Sequence, residues 1–154
     1  LQTEMLRELR EDLTQAAKAI NRIEWIRKQL KDLRSVVDGF GADDSKAVAS
    51  DAEELEGTLI AIEEKLYELE VTGTGQDRVR WPTMLAGRIA YLANAVGVAD
   101  FRPAEQHREV HQALKGRLQT YQQELDSLLE NELPAFNRTL RERELPTIVL
   151  GGTE

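Results

Sequence analysis

Apolar residues recur at helical spacing along most of the chain. Leu6, Leu9, Leu13, Ala16, Ile20 and Ile23 step by three and four, and Ile26, Leu30, Leu33 and Val37 follow after one extra three-residue step. Residues so spaced share one face of a helix. The pattern predicts one long helix over residues 3–37, locally overwound at the extra step. Gly39 and Gly41 stop it, because glycine takes the left-handed capping conformation at little cost. Val48, Ala52, Leu55, Leu59, Ile62, Leu66 and Leu69 then step 4-3-4-3-4-3, the most regular seam in the chain. Ser45 or Ser50 can cap this second helix, and Ser50 has Glu53 three residues on, as in a capping box. Thr72-Gly73-Thr74-Gly75 ends it.

Pro82 suits the first turn of a short third helix, whose stripe is Leu85, Ile89, Leu92 and Val96. Asp100-Phe101-Arg102-Pro103 breaks that helix and starts a fourth. The fourth carries Val110, Leu114, Leu118, Tyr121, Leu125, Leu128 or Leu129, Phe136 and Leu140. Pro134 lies inside it and predicts a kink or break, because the ring removes a backbone bond and clashes with the carbonyl of Glu130. The expected architecture is all-α: an antiparallel up-down-up-down four-helix bundle over residues 1–145. Its first and fourth helices are long and its third short, so part of it is three helices thick. Residues 146–154 form an extended tail, apolar at Ile148, Val149 and Leu150.

Charge narrows the function classes. The formal net charge is −8, and residues 41–70, with ten acids and two bases, carry a surplus equal to that whole. Nucleic-acid binding needs a basic stripe and membrane anchoring a polybasic cluster, and neither is present. No apolar run approaches the roughly 18 residues of a membrane span. Hydrophobic residues at 41% and charged residues at 31% describe a globular chain. There is no cysteine, hence no disulfide or thiolate metal site. The acids spread over the flanks and outer face of the second helix. Arg27, Lys28, Lys31 and Arg34, at the end of the first, are placed to meet Asp43, Asp44, Asp51, Glu53 and Glu54 across a hairpin.

Candidate chemistry is sparse. His107 and His111 stand four apart, a spacing that can hold a metal from one side. Position 108 is Arg where a zincin needs Glu, and no Glu-x-x-His pair exists for a di-iron bundle. No acid stands isolated among apolar residues as a general acid would, and the Gly73/Gly75 loop lacks the Gly-Lys-Ser/Thr of a phosphate loop. No catalytic residue and no cofactor site is expected. Trp25 lies almost opposite the seam, beside Arg22 and Lys28. Either it covers one of them as a cation–π pair or it anchors a partner. Trp81, Phe101, Ile148, Val149 and Leu150 are further interface candidates, because the four stripes leave them unused.

Several stretches carry a family likeness. They are Ala19-Ile20-Asn21-Arg22-Ile23, Leu66-Tyr67-Glu68-Leu69-Glu70-Val71-Thr72-Gly73-Thr74-Gly75-Gln76-Asp77, Arg80-Trp81-Pro82, Gly87-Arg88-Ile89-Ala90-Tyr91-Leu92, Phe101-Arg102-Pro103, Arg108-Glu109-Val110 and Phe136-Asn137. Together they resemble the C-terminal helical region of large bacterial proteins with sortilin-type β-propellers. Those propellers are built from bacterial neuraminidase (Asp-box) repeats, and the proteins are commonly labelled glycosyl hydrolases. The resemblance runs from about Ala19 to Leu145. It implies an extracytoplasmic parent with a propeller upstream, and the chain's start at Leu1 fits a piece of such a protein. It implies no catalytic residue here, since the Asp-box pattern Ser-x-Asp-x-Gly-x-Thr-Trp is absent. Three readings follow: a non-catalytic accessory domain that contacts its propeller or another protein, a domain that lends a carboxylate to a glycosidase cleft, and a self-associating coiled coil that forms a homo-oligomer.

Overall fold

A computed structural model describes residues 2–39, 43–66, 85–98 and 105–151, and among them every regular element is helical. The chain is an all-α bundle. Helix α1 spans Gln2–Asp38, α2 Asp43–Leu66, α3 Leu85–Val98 and α4 Glu105–Ser127. A π-helical turn, Leu128–Glu132, leads into α5, Leu133–Glu142. Ser45 and Ser50 lie inside α2 and so are not its cap. In a helix this rich in acids, a serine with Glu three residues on recurs without marking an end. Leu69, the Thr72–Gly75 breaker, Pro82 and Pro103 lie outside the described residues.

The helices pack as two compact units. The first holds α1 up to Ile20, the end of α2 from Glu63, α3, and α4 up to Gln122. The second holds α1 from Asn21, α2 up to Ile62, and the chain from Gln123 through α5 to the tail.

The buried seam of α1 is Met5, Leu9, Asp12, Ala16, Ala19, Ile23, Ile26, Leu30, Leu33 and Val37. It steps 4-3-4-3-4-3-4-3-4 without interruption. The expected extra step does not exist. Leu6, Leu13 and Ile20 lie half-buried on the flank. They outrank Met5, Asp12 and Ala19 in hydropathy but not in position, because an uninterrupted heptad keeps one face on its neighbours. In α2 the seam is as the periodicity requires, with Val48, Ala52, Leu55, Leu59, Ile62 and Leu66 all buried, and α3 likewise buries Leu85, Ile89, Leu92 and Val96.

Helix directions in the first unit differ from up-down-up-down. Gln2 donates to the carbonyl of Val96 at 2.8 Å, and a β-carbon on Gly97 would lie 3.7 Å from Leu6. The end of α3 thus meets the start of α1. Helix α4 runs in the same direction as α1, since His111 faces Glu8 while Lys115 faces Asp12. A connection of two to five residues forces a helix to reverse; the stretch 67–84 is long enough to impose no such rule.

The second unit is three helices thick. The four-residue link at 39–42 returns α2 antiparallel to α1. Arg27 and Arg34, each one residue past a seam position, both pair with Glu56, itself one past Leu55. Antiparallel helices bring such like flanks together. Glu56, which the sequence did not single out, is thus a partner of both Arg27 and Arg34, while the side chains of Asp43 and Asp44 lie outside the described residues. Glu63 lies seven residues further along that flank and is fully buried. The acidic face of α2 is thus not wholly solvated.

Pro134 does not break the helix. Ser127, Glu132 and Leu133 keep right-handed helical angles, and the Leu133 N–H reaches back five residues to the carbonyl of Leu128. The widened turn holds one extra residue just before the proline, where the ring would otherwise press on Glu130. That residue also re-phases the stripe. A strict heptad from Leu125 and Leu128 would bury Glu132, Ala135 and Thr139. With the insertion, Leu129, Leu133, Phe136 and Leu140 face inward instead. Leu128 and Leu129 are both core.

Helix α5 ends in a Schellman motif. Leu145 N–H bonds the Leu140 carbonyl at 2.8 Å, and Glu144 N–H bonds that of Arg141 at 3.1 Å. Glu144 takes the left-handed position with φ 58°. Pro146 then bars further helix, and the chain continues as an extended tail to Gly151.

Candidate functional site

Among the described residues, two places concentrate polar or exposed chemistry, one in each unit. In the first unit, Asp12 and His111 are both buried, each at a seam position of its own helix. His111 stands where the sequence pattern put Val110, which is exposed. The His111 Nε2–H donates to Asp12 Oδ2 at 2.9 Å. Lys115 Nζ lies 3.7 Å from the other Asp12 oxygen, and Glu8 lies 3.9 Å from His111 Nδ1. An imidazole serving as acid or base needs a nitrogen turned toward a substrate. Here one nitrogen is held by Asp12, the other faces Glu8, and the ring is enclosed. The arrangement is a buried, hydrogen-bonded polar pair inside an otherwise apolar seam, the kind of contact that can select a helix neighbour and register.

The pairing of His107 with His111 for a metal gains no third ligand. Among the described residues no group of three or more His, Cys, Asp or Glu is placed to hold an ion. His107 is half-buried, and its Nδ1 has no hydrogen-bond partner among the described residues. Trp81 and Phe101 lie outside the described residues.

The second unit holds Trp25 and the tail. Trp25 is 46% exposed, as its position opposite the seam requires. Its indole faces Gly151: a β-carbon there would come within 2.7 Å of Trp25 Cδ1. Gln29, one turn along α1, grips the tail at Val149. Its Oε1 accepts the Val149 N–H and its Nε2 donates to the Val149 carbonyl, both at 2.8 Å. Asn137 of α5 treats Ile148 in the same way, at 2.7 and 2.9 Å. Ile148 is buried in this unit, which removes it from the residues free to meet a partner. Val149 and Leu150 remain exposed, as does Val36, which lies three turns along α1 from Trp25 on nearly the same face.

Gln29 carries no signal in the sequence, being one amide among many polar helix residues, and Asn137 enters only through the family likeness of Phe136-Asn137, which says nothing of the tail. Asp12 was hidden because an acid inside a seam looks like a gap in the pattern.

Comparison with protein-family models, with curated proteins and with solved structures returned no match. Among the described residues, no helix is long and apolar enough to cross a membrane.

Proposed function

We propose that this chain is a non-catalytic helical accessory domain that makes protein–protein contacts. The observation that carries the reading is the set of exposed apolar side chains in the second unit: Trp25, Val149 and Leu150 on the tail that runs past it, and Val36 three turns along α1. Aromatic and aliphatic groups held on a rigid frame are typical interface anchors. Here the tail is fixed by four hydrogen bonds, so its outward side chains lose little freedom on docking. The family likeness supplies the partner: an upstream β-propeller of the same extracytoplasmic protein.

The test is calorimetric titration of this chain with its parent's propeller. Val149→Asp with Leu150→Asp should weaken binding at least tenfold, because both side chains point outward and neither is core. Equal binding by the variant, or no binding by the unmodified chain, defeats the reading. These side chains also suit a second copy of the chain, and sedimentation equilibrium separates the two. A mass that rises with concentration and is reset by the same double variant favours self-association.

A further inference from the structure

The grip on the tail is built like a recognition site. Asn137 and Gln29 each satisfy both backbone groups of one residue, and the two residues are successive. These four bonds read an extended backbone and are indifferent to side chains, as in the addition of a strand to a sheet edge. Selectivity comes from two other positions. Ile148 is buried, so its site takes an apolar side chain. Three residues on, Gly151 has φ +77° and leaves no room for a β-carbon against Trp25. Val149 and Leu150, between them, point outward and are not selected.

We infer that the trough bounded by Gln29, Asn137 and Trp25 is a peptide-binding site for an extended segment with an aliphatic residue followed three positions later by glycine, and that the chain's own Ile148-Val149-Leu150-Gly151 occupies it. The tail is an intramolecular ligand. The same sequence supplied from outside competes for the trough once the resident segment is weakened. This inference stands apart from the docking surface proposed above, which concerns the exposed side chains.

The experiment uses the full chain carrying Gly151→Ala, which strains the resident tail and leaves α1, α2 and α5 unaltered. The probe is a fluorescent peptide with the sequence of residues 145–152, followed by anisotropy. It should bind the Gly151→Ala chain at least tenfold more tightly than the unmodified chain, whose trough is filled. Placing alanine at the peptide's own glycine, or adding Gln29→Leu to the chain, should each cost at least tenfold. A chain weakened instead by Ile148→Ser should behave like Gly151→Ala, which guards against one variant misfolding. Equal binding to weakened and unmodified chains, binding that ignores the peptide's glycine, or no binding to either weakened chain overturns the inference.

Discussion

Helix α1 builds the seam of both units, and it does so in two different ways. In the first unit the seam carries Asp12 and places it against His111 of α4. In the second unit every seam residue of α1, from Ile23 to Val37, is apolar. There the polar chemistry has moved outward, to Arg27 and Arg34 on Glu56 and to Gln29 on the tail. An apolar seam stabilises without saying which neighbour it wants. A buried pair says so at a cost, and a flank pair says it more weakly at little cost. The first unit, where α3 and α4 approach α1 in opposite directions, uses the costly device.

The sharpest way to break this comparison is at His111. His111→Ala leaves a buried carboxylate with only Lys115 beside it, and half-exposed Lys115 compensates in part. The expected loss is about 3 kcal/mol, measured as a fall in the urea midpoint. Asp12→Ala strands an imidazole N–H and should cost about 1–3 kcal/mol. Replacing both by Leu should restore stability or raise it by about 1–4 kcal/mol. If the double variant is as unstable as His111→Ala, the pair stabilises the unit outright and the contrast fails. In the second unit, Leu30→Ala should cost about 2–5 kcal/mol by cavity formation, and no second substitution at a polar site should rescue it.

The next effect concerns the π-turn. Deleting Asn131 removes one residue where one is in excess, so the stripe on both sides should stay in phase. The proline then sits in a regular helix and costs about 3 kcal/mol. Adding Pro134→Ala to the deletion should bring stability back to within about 1 kcal/mol of the starting chain. Deleting exposed Gln119 instead rotates every later core position by about 100° and should unfold the domain, as read by circular dichroism. If both deletions are equally damaging, the turn is not a phase correction.

What the sequence made legible follows from the same chemistry. In α2 and α3 the seam is apolar at every described step, and periodicity located each residue. In α1 the seam contains Asp12 and the weakly hydrophobic Ala19, so hydropathy drew the stripe one residue off, onto Leu6, Leu13 and Ile20. The apparent extra three-residue step follows from that shift. In the fourth helical stretch, two adjacent leucines could not be told apart because both are core. The tail clamp joins residues 120 apart at Gln29 and Val149. No local pattern announces such a bond. The exposure of Trp25 was readable from its angle to the seam, whereas its contact with Gly151 was not.

A smaller effect, opposite in sign, is expected at the end of α5. Glu144 holds a left-handed conformation that costs an L-residue with a side chain roughly 1 kcal/mol. Glu144→Gly should raise stability by up to about 1 kcal/mol, less the extra freedom glycine gives the unfolded chain.

The smallest effect separates Trp25 from the core. Its ring is half exposed and lies against Gly151 at the end of the tail, so Trp25→Ala should lower global stability by about 0.5 kcal/mol or less. Locally the result should be larger. Val149 N–H is held by Gln29, and the tail beyond it loses the surface against which Gly151 lies. Hydrogen exchange at Ile148 and Val149 should therefore quicken several-fold while that of Leu30 and Leu59 stays unchanged. An equal acceleration at all four amides would mean that Trp25 belongs to the core of the second unit, and the division between a stabilising seam and a selective outer flank would then fail at the residue that marks it best.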